Sequence, residues 1–232
     1  MSEKIIGIIG AMSSEVQGIW DIMTNTECKK IAGLDFVKGN IGETLCVVSK
    51  CGPGKVNAAI CAQAMIDGYN PEVVINTGVA GGIGKDVKIG DLVIGTHCVQ
   101  HDMDTSELDG LVGVIPEIEI TELPCDKEIS SKIYENAKSI YNNVHTGVIA
   151  TGDVFVGTTE KSNAINQMFG AIACEMEGGS IAQVCYMNNV KFAALRAISD
   201  NANDNGKVDY TTFEIKAADQ SIELMRVSLA VI

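Results

Sequence analysis

Residues 171–200 read AIACEMEGGSIAQVCYMNNVKFAALRAISD. A short apolar run comes first (171–174), a helical pattern follows (177–187), and a second apolar run fills 192–198. Apolar runs of this length are typical of buried strands, and a helix between two such strands is characteristic of α/β proteins. Both runs end in carboxylates, Glu175 and Glu177 after the first and Asp200 after the second. The stretch therefore predicts a strand–helix–strand unit with acidic side chains at its strand ends.

The same alternation of apolar runs and helical patterns fills the rest of the chain. Strands are predicted over residues 5–9, 34–37, 44–49, 72–77, 91–96 and 144–150, and helices over 15–23, 56–66, 129–140 and 213–225. Alternation of this kind favours an α/β fold whose largely parallel or mixed sheet is covered by helices on both faces. Because no repeat, low-complexity tract or linker interrupts the chain, residues 1–232 are expected to form one domain.

The first helix follows the first strand directly. Val16, Ile19 and Met23 recur at the spacing of one helix face. Ser13 or Ser14 is predicted to cap this helix, which puts Glu15 in its first turn.

Composition limits the classes of partner. The 232 residues carry a net charge of −13, which repels a polyanion, so nucleic acid is not an expected partner, whereas an uncharged nucleoside is not excluded. No apolar run is long enough to cross a bilayer, and residues 1–12 read as a polar start and a strand rather than a signal peptide, which predicts a cytoplasmic protein without a membrane partner.

Several common site motifs are missing from the sequence. The eight cysteines form no C-x-x-C pair and the three histidines have no metal-like spacing, so we expect buried reduced thiols and no metal site. The glycine segments do not spell G-x-G-x-x-G, and Lys55 is followed by Val56 rather than Ser or Thr, which argues against dinucleotide and triphosphate sites. Glycine still lets a backbone approach a ligand closely, although simple tight turns explain each segment equally well by itself.

Polar and glycine-rich segments follow the predicted strands repeatedly. They are residues 10–15, 52–55, 78–82, 152–155, 175–177 and 199–200. Taken singly, Glu15 and Glu177 are explained by the preference for negative charge at a helix start, and Asp200 is an ordinary turn residue. Because strand ends meet at one edge of such a sheet, we expect the segments to converge on one site.

Read together, these segments resemble the 5′-methylthioadenosine/S-adenosylhomocysteine nucleosidases of the purine nucleoside phosphorylase-like family. The matching motifs are IIGAM before Glu15 (8–12), GPGKVNAA (52–59), INTGVAGG (75–82), GD (90–91), HDMD (101–104), TGDVF (151–155), CEMEGGSIA (174–182) and RAISD (196–200). The resemblance covers nearly the whole chain. It implies a three-layer α/β fold with a mixed central sheet, a homodimer, a small adenine nucleoside as substrate, and neither a metal nor an organic cofactor.

The resemblance also implies roles for matched residues. Glu15 would activate the attacking water, and Asp200, held by Ser199, would protonate purine N7. The substrate-binding positions would be Glu177 with the Met176 backbone at the ribose hydroxyls, Phe155 stacked on adenine, the Val156 backbone at the base edge, and Met12, Ala80, Gly81 and Glu175 around them. An aspartic acid can donate a proton at neutral pH only if its pKa is raised, and we expect burial near Glu175 and Glu177 to raise it.

Two positions depart from the family pattern. Val79 stands where the family often has Ser or Thr, a hydroxyl that helps to hold phosphate in the related phosphorylases, so its loss favours hydrolysis. Leu108, in the differing loop 105–123, stands where the best-known bacterial members carry an aromatic residue that a partner subunit lends to the 5′-alkylthio pocket. A phosphate-dependent purine nucleoside phosphorylase and a non-catalytic nucleoside-binding protein stay open as alternatives.

Overall fold

The structure, a computed structural model, describes residues 4–108, 110–203 and 206–232. Its strands are β1 Ile5–Gly10, β2 Thr24–Ile31, β3 Leu34–Ile41, β4 Thr44–Lys50, β5 Val73–Gly82, β6 Leu92–Gln100, β7 Leu123–Pro124, β8 Val144–Thr151, β9 Ala171–Glu175 and β10 Lys191–Asp200. Its α-helices are α1 Ser13–Asp21, α2 Lys55–Tyr69, α3 Lys127–Ile140, α4 Thr159–Phe169, α5 Gly178–Met187 and α6 Gly206–Ser228, and a 3₁₀ turn covers Ser106–Leu108.

The strands form one mixed sheet in the order β10–β6–β8–β9–β5–β1–β4–β3–β2, with the short β7 paired to β6. Strand β5 is parallel to β1 and also to β10, while β10 is antiparallel to β6. Five strands, β5, β9, β8, β6 and β10, therefore close on themselves, and β1, β4, β3 and β2 extend from this closed part. The predicted α/β fold with a mixed central sheet flanked by helices is confirmed.

Alternating side chains of the strands build a core on each face of the sheet. Along β10, Ala194 and Ile198 pack on the side of α2 and α5, whereas Ala193, Leu195 and Ala197 pack on the side of α1, α3 and α6. This period of two buries both faces of the strand, as expected for a central strand covered by helices. The carboxyl ends of β1, β5, β9 and β10 are thereby held at one edge of the molecule.

Helix α1 begins differently from the prediction. Its N-cap is Met12, so the expected cap at Ser13 or Ser14 is wrong. The Glu15 carboxylate instead accepts the N–H groups of Ala11 and Met12, at 2.7 and 2.9 Å, and satisfies the helix start in place of a hydroxyl. The serine hydroxyl of residue 14 donates to Glu214 on α6.

Three elements, β2, β7 and α4, had no sequence prediction, and several strands, among them β5, are longer than expected. Strand β2 is exposed along nearly its whole length and α4 buries only Ser162 and Ile165, so neither shows the apolar period by which elements are recognised. Strand β5 runs on to Gly82, so residues 78–82 belong to the strand instead of following it. Its last two glycines pair with β9.

Seven of the eight thiols are buried, and Cys28 on β2 is exposed. Among the described residues, no helix is both long enough and apolar enough to cross a membrane. His145 lies on β8 and contacts Asp91 at 2.9 Å, and His97 lies on β6; both side chains are partly exposed.

Candidate active site

A cavity of about 230 Å³ lies at the carboxyl ends of β1, β5, β9 and β10. It is lined by Ala11, Met12, Glu15, Pro53, Val79, Ala80, Gly81, Phe155, Cys174, Glu175, Met176, Glu177, Ser199, Asp200 and Tyr210. Val156, the remaining residue that the resemblance implied, lines a small adjoining cavity of about 30 Å³ together with Phe155 and Asp200. The structure thus brings residues from seven separate segments of the chain to one place.

A larger surface groove of about 740 Å³ lies between β7, the end of α5 and the start of β10. Its carboxylate, Asp126, is the N-cap of α3 and accepts the N–H of Ile129 at 3.0 Å. The groove therefore offers no free acid for chemistry, and the smaller cavity is the better candidate.

Glu15 is held by three backbone N–H groups. Ala11 and Met12 donate to one carboxylate oxygen, and the N–H of Val79 on β5 donates to the other at 2.9 Å. The side chain is only 3% exposed. Burial raises the pKa of Glu15 despite these donors and the charge of Arg196, which lower it. A carboxylate with a raised pKa is a stronger base than an exposed glutamate, which suits it to take a proton from water.

Asp200 ends β10 with 2% of its surface exposed. One carboxyl oxygen accepts the hydroxyl of Ser199 at 2.9 Å and the other accepts the N–H of Ala202 at 2.8 Å. Burial raises the pKa of Asp200, as expected. The neighbouring charge that adds to the shift is that of Asp209 on α6, whereas the expectation named Glu175 and Glu177. An acid of this kind holds its proton at a higher pH than an exposed aspartic acid.

Glu175 has protein partners for both of its oxygens. The side chain of Arg196, which is 1% exposed, donates to it at 2.6 Å. The hydroxyl of Thr151 and the N–H groups of Glu177 and Gly178 also donate to this carboxylate. Arg196 also donates to the backbone and side-chain oxygens of Asn76 on β5. The charges of Glu175 and Arg196 compensate each other inside the protein. Because the Glu175 carboxylate also accepts the N–H groups at the start of α5, it orients this helix start and is not free to bind the substrate.

Glu177 is the N-cap residue of α5 and accepts the N–H of Gly54 at 2.8 Å. Burial raises the pKa of Glu177 to about 8, and the charges of Glu175 and Glu15 add to the shift, while the Gly54 N–H and Arg196 oppose it. The Gly54 N–H engages the Oε1 atom of the carboxyl group, and the side chain lines the cavity. It is therefore placed to accept a hydroxyl group of a ligand.

The pKa of Glu177 predicts a stability change that depends on pH. Because the folded state holds this proton more tightly than the unfolded chain, the stabilising contribution is complete below pH 4.5 and is lost as pH rises through 8. Glu177→Gln keeps a neutral side chain at every pH, so its free energy of unfolding should exceed that of the wild type by at most a few kcal/mol near pH 9.

Thermal denaturation of both proteins between about pH 5 and about pH 9 measures this difference. Exposed Glu43, in the turn between β3 and β4, provides the control, since Glu43→Gln makes the same substitution outside the cavity. A Glu177→Gln curve parallel to that of the wild type would contradict the raised pKa.

Three side chains meet at the mouth of the cavity. Phe155, 46% exposed, contacts Tyr210 edge-to-face with ring centroids 5.8 Å apart. The Tyr210 hydroxyl donates to the sulfur of Met12 at 3.1 Å. Sequence reasoning missed Tyr210, Pro53 and Cys174. Pro53 and Cys174 lie within the motifs GPGKVNAA and CEMEGGSIA. Tyr210 lies in a polar turn of α6 that has no recognisable signal.

The cavity is acidic. Glu15, Glu175, Glu177 and Asp200 line it, and its described lining contains no Lys, Arg or His. Among the residues that the structure describes, no group of three or more His, Cys, Asp or Glu side chains is arranged to hold a metal ion. Glu15 is held by three N–H donors, and Asp200 is held by a hydroxyl and one N–H. Two carboxyl groups with separate partners are suited to opposite proton transfers.

Comparison with known proteins places this arrangement in context. The model of the phosphorylase superfamily matches residues 5–232. A curated relative from Shewanella halifaxensis, a 5′-methylthioadenosine/S-adenosylhomocysteine nucleosidase, is 36% identical over 217 residues, which cover 93% of this chain and 94% of the relative.

Solved structures are similar over nearly their full length. The corresponding nucleosidase of Neisseria meningitidis, in complex with methylthio-immucillin-A, gives a TM-score of 0.95 at 30% identity and covers 99% of this chain and 100% of that one. The futalosine hydrolase of Helicobacter pylori gives 0.94 at 33% identity, over 99% of this chain and 98% of that one.

Proposed function

Since the chain belongs to the phosphorylase superfamily and, within it, to the 5′-methylthioadenosine/S-adenosylhomocysteine nucleosidases, we propose that it hydrolyses the N-glycosidic bond of both nucleosides. The products are adenine and the 5-thio-substituted ribose. The observation that carries the proposal is the meeting of Glu15 and Asp200, 185 positions apart in the chain, in one cavity. With this activity the protein would serve nucleoside catabolism and methionine salvage in the cytoplasm.

Asp200 acts as the general acid in this proposal. Adenine is a poor leaving group while negative charge accumulates on it, and a proton delivered to N7 removes that charge. Burial keeps Asp200 protonated at a higher pH, and the Ser199 hydroxyl orients the carboxyl group. General acid catalysis of this kind contributes about 10²–10⁴-fold to the rate.

Glu15 and Glu177 act on the sugar. As the bond breaks, the ribose acquires positive oxocarbenium character, as in other glycosidic cleavages. Glu15 binds and deprotonates the attacking water, while Glu177 accepts the ribose hydroxyls with the Met176 backbone beside it. Phe155 stacks on the adenine, the Val156 backbone contacts its edge, and Met12, Ala80 and Gly81 complete the walls.

Phosphorolysis is the less favoured alternative. A phosphate acceptor is favoured by cationic donors, and the described lining residues of the cavity include no Lys, Arg or His. The lining hydroxyls of Ser199 and Tyr210 donate to Asp200 and Met12. Position 79 carries the apolar side chain of valine, and its N–H is already donated to Glu15. Because water is uncharged, it binds among several carboxyl groups more readily than anionic phosphate does.

Release of free base tests the proposed function. The protein is incubated with 5′-methylthioadenosine, S-adenosylhomocysteine, adenosine, inosine and futalosine, with and without phosphate. Adenine should appear from the first two without phosphate. Release that requires phosphate and yields a sugar 1-phosphate would identify a phosphorylase, and tight binding without turnover would identify a non-catalytic binding protein.

We propose further that the protein is a homodimer whose interface borders the cavity. Leu108 is 84% exposed, and Leu111, three positions later in the same loop, is 72% exposed. Val56 and Ile60 expose one face of α2 beside Pro53, which lines the cavity. Exposed apolar side chains of this number are typical of an interface. Light scattering should give twice the mass of one chain, and a monomer in solution would contradict the proposal.

A further inference from the structure

Helix α2 begins without a side-chain cap from its own sequence. Its N-cap residue is Gly54, with φ of 97°, a conformation that favours glycine. Two successive N–H groups at this helix start are taken by carboxylates from distant segments. The N–H of Gly54 donates to Glu177 at 2.8 Å, and the N–H of Lys55 donates to Asp153 at 2.7 Å. The helix start thus holds both a ribose-side carboxylate and a residue of the loop after β8.

Three residues close a ring of contacts around this helix start. The Lys55 N–H donates to the Asp153 carboxylate, the Asp153 N–H donates to the Asp102 carboxylate at 2.8 Å, and Asp102 forms an ion pair with the Lys55 ammonium at 2.7 Å. We call these residues the 55–102–153 ring. Each member comes from a different segment, namely the start of α2, the turn after β6 and the loop after β8.

The ring is fixed more firmly than an ordinary surface ion pair. The side chains of Lys55 and Asp102 are 17% and 27% exposed. The Lys55 ammonium has a further contact with Gln100 at 3.3 Å. Burial opposes the charged form of Asp102, but the hydrogen bonds from Lys55 and from the Asp153 N–H outweigh it and lower the pKa of Asp102. Charge-assisted hydrogen bonds of this kind are stronger than neutral ones.

The ring joins the two sides of the cavity. Asp153 precedes Phe155 by two residues in the loop that contacts the base, and Lys55 follows Gly54, whose N–H holds Glu177. None of the three ring residues is among the described residues that line the cavity. The ring therefore acts on a ligand only through the segments that it connects.

We propose that Lys55, Asp102 and Asp153 are positioning residues that hold the base-side loop and the ribose-side Glu177 at a fixed separation for the nucleoside. The inference rests on the proposed function, since it assigns the two sides of the cavity to base and ribose. The 55–102–153 ring fixes the two sides of the cavity relative to each other whether or not the nucleoside is bound. A ligand that bridges both sides then binds without ordering the loop after β8.

The test compares variants that open the ring with variants that keep it. In Lys55→Met and Asp102→Asn, KM for 5′-methylthioadenosine should rise about tenfold and kcat should fall less than about threefold, since the loss of one charge-assisted hydrogen bond weakens binding. Lys55→Arg retains the charge and should stay within about threefold of the wild type. The double variant Lys55→Met/Asp102→Asn should lose no more than the worse single variant, because both changes break the same contact.

A matched control removes an ion pair away from the cavity. The Lys30 Nζ and Asp35 Oδ1 atoms on the β2–β3 hairpin are 2.8 Å apart, close to the 2.7 Å of the Lys55–Asp102 pair. Because this pair lies outside the cavity lining, Asp35→Asn should leave KM and kcat unchanged. Melting temperatures are recorded for all variants, and the dissociation constant of adenine is measured by calorimetry. Adenine binding should weaken in the ring variants as KM rises.

The outcomes separate the two proposals. Wild-type protein that releases no adenine would overturn the proposed function, while the adenine dissociation constants would still report on the ring. Unchanged KM and adenine binding in Lys55→Met and Asp102→Asn, with only a lower melting temperature, would overturn the positioning role. Additive losses in the double variant would also overturn it.

Discussion

Replacing Asp200 by asparagine should lower kcat for 5′-methylthioadenosine by about 10²-fold or more, because the amide cannot deliver the proton that adenine needs on leaving. Asparagine has nearly the same shape, and its oxygen can still accept the Ser199 hydroxyl or the Ala202 N–H. The fold and nucleoside binding should therefore be retained. Steady-state release of adenine gives kcat, and calorimetry with the intact nucleoside gives the affinity.

Asp209→Asn is the control for this variant. It removes the negative charge on α6 that helps to raise the pKa of Asp200 but leaves the acid itself in place. Its rate should fall by less than about tenfold, since only the fraction of protonated Asp200 changes. Near-normal turnover in Asp200→Asn would remove Asp200 from the role of general acid.

Replacing Glu15 by glutamine should abolish hydrolysis, with kcat lower by about 10²–10⁴-fold, because the amide cannot take the proton of the attacking water. The change also has a structural cost. Three N–H groups donate to the two oxygens of Glu15, and the amide offers a single oxygen. One donor is then left facing an NH₂ group, and we expect a loss of about 1–3 kcal/mol in the free energy of unfolding.

Two measurements distinguish lost chemistry from lost structure in this variant. Thermal denaturation shows whether Glu15→Gln is folded at the assay temperature, and adenine binding shows whether the cavity is intact. Glu214→Gln is the control, since Glu214 contacts α1 through Ser14 but lies outside the cavity lining. If Glu15→Gln raised KM and left kcat unchanged, water activation by Glu15 would be wrong.

The fold could be predicted to the extent that apolar periodicity marks its elements. Strand β10 is apolar over 192–198 except for Arg196 and is buried on both faces, so its pattern largely agrees with its environment. Strand β2 and helix α4 carry few buried side chains, and their polar sequences are indistinguishable from loops. Their positions are set by pairing with β3 and packing on β9, which a local pattern does not contain.

The candidate site could be predicted as a set of residues but not as a set of contacts. Glu15 and Glu177 each follow a strand and Asp200 ends one, and such strand ends meet at one edge of the sheet. The pairing of Glu175 with Arg196 depends on the register of β5 against β10 and against β9, which the sequence does not specify. The same holds for the N–H groups that orient Glu15, because Val79 is 64 positions from it.

The exposed strand β2 determines how the sheet ends. An outer strand with free N–H and C=O groups can recruit a strand of another molecule, which leads to aggregation. In β2 the pairing with β3 is irregular between Thr24 and Glu27, Asn25 has a φ of 53°, and Lys29 adds an exposed charge. These features interrupt a continuous row of donors and acceptors. We expect them to disfavour pairing of this edge with a second copy.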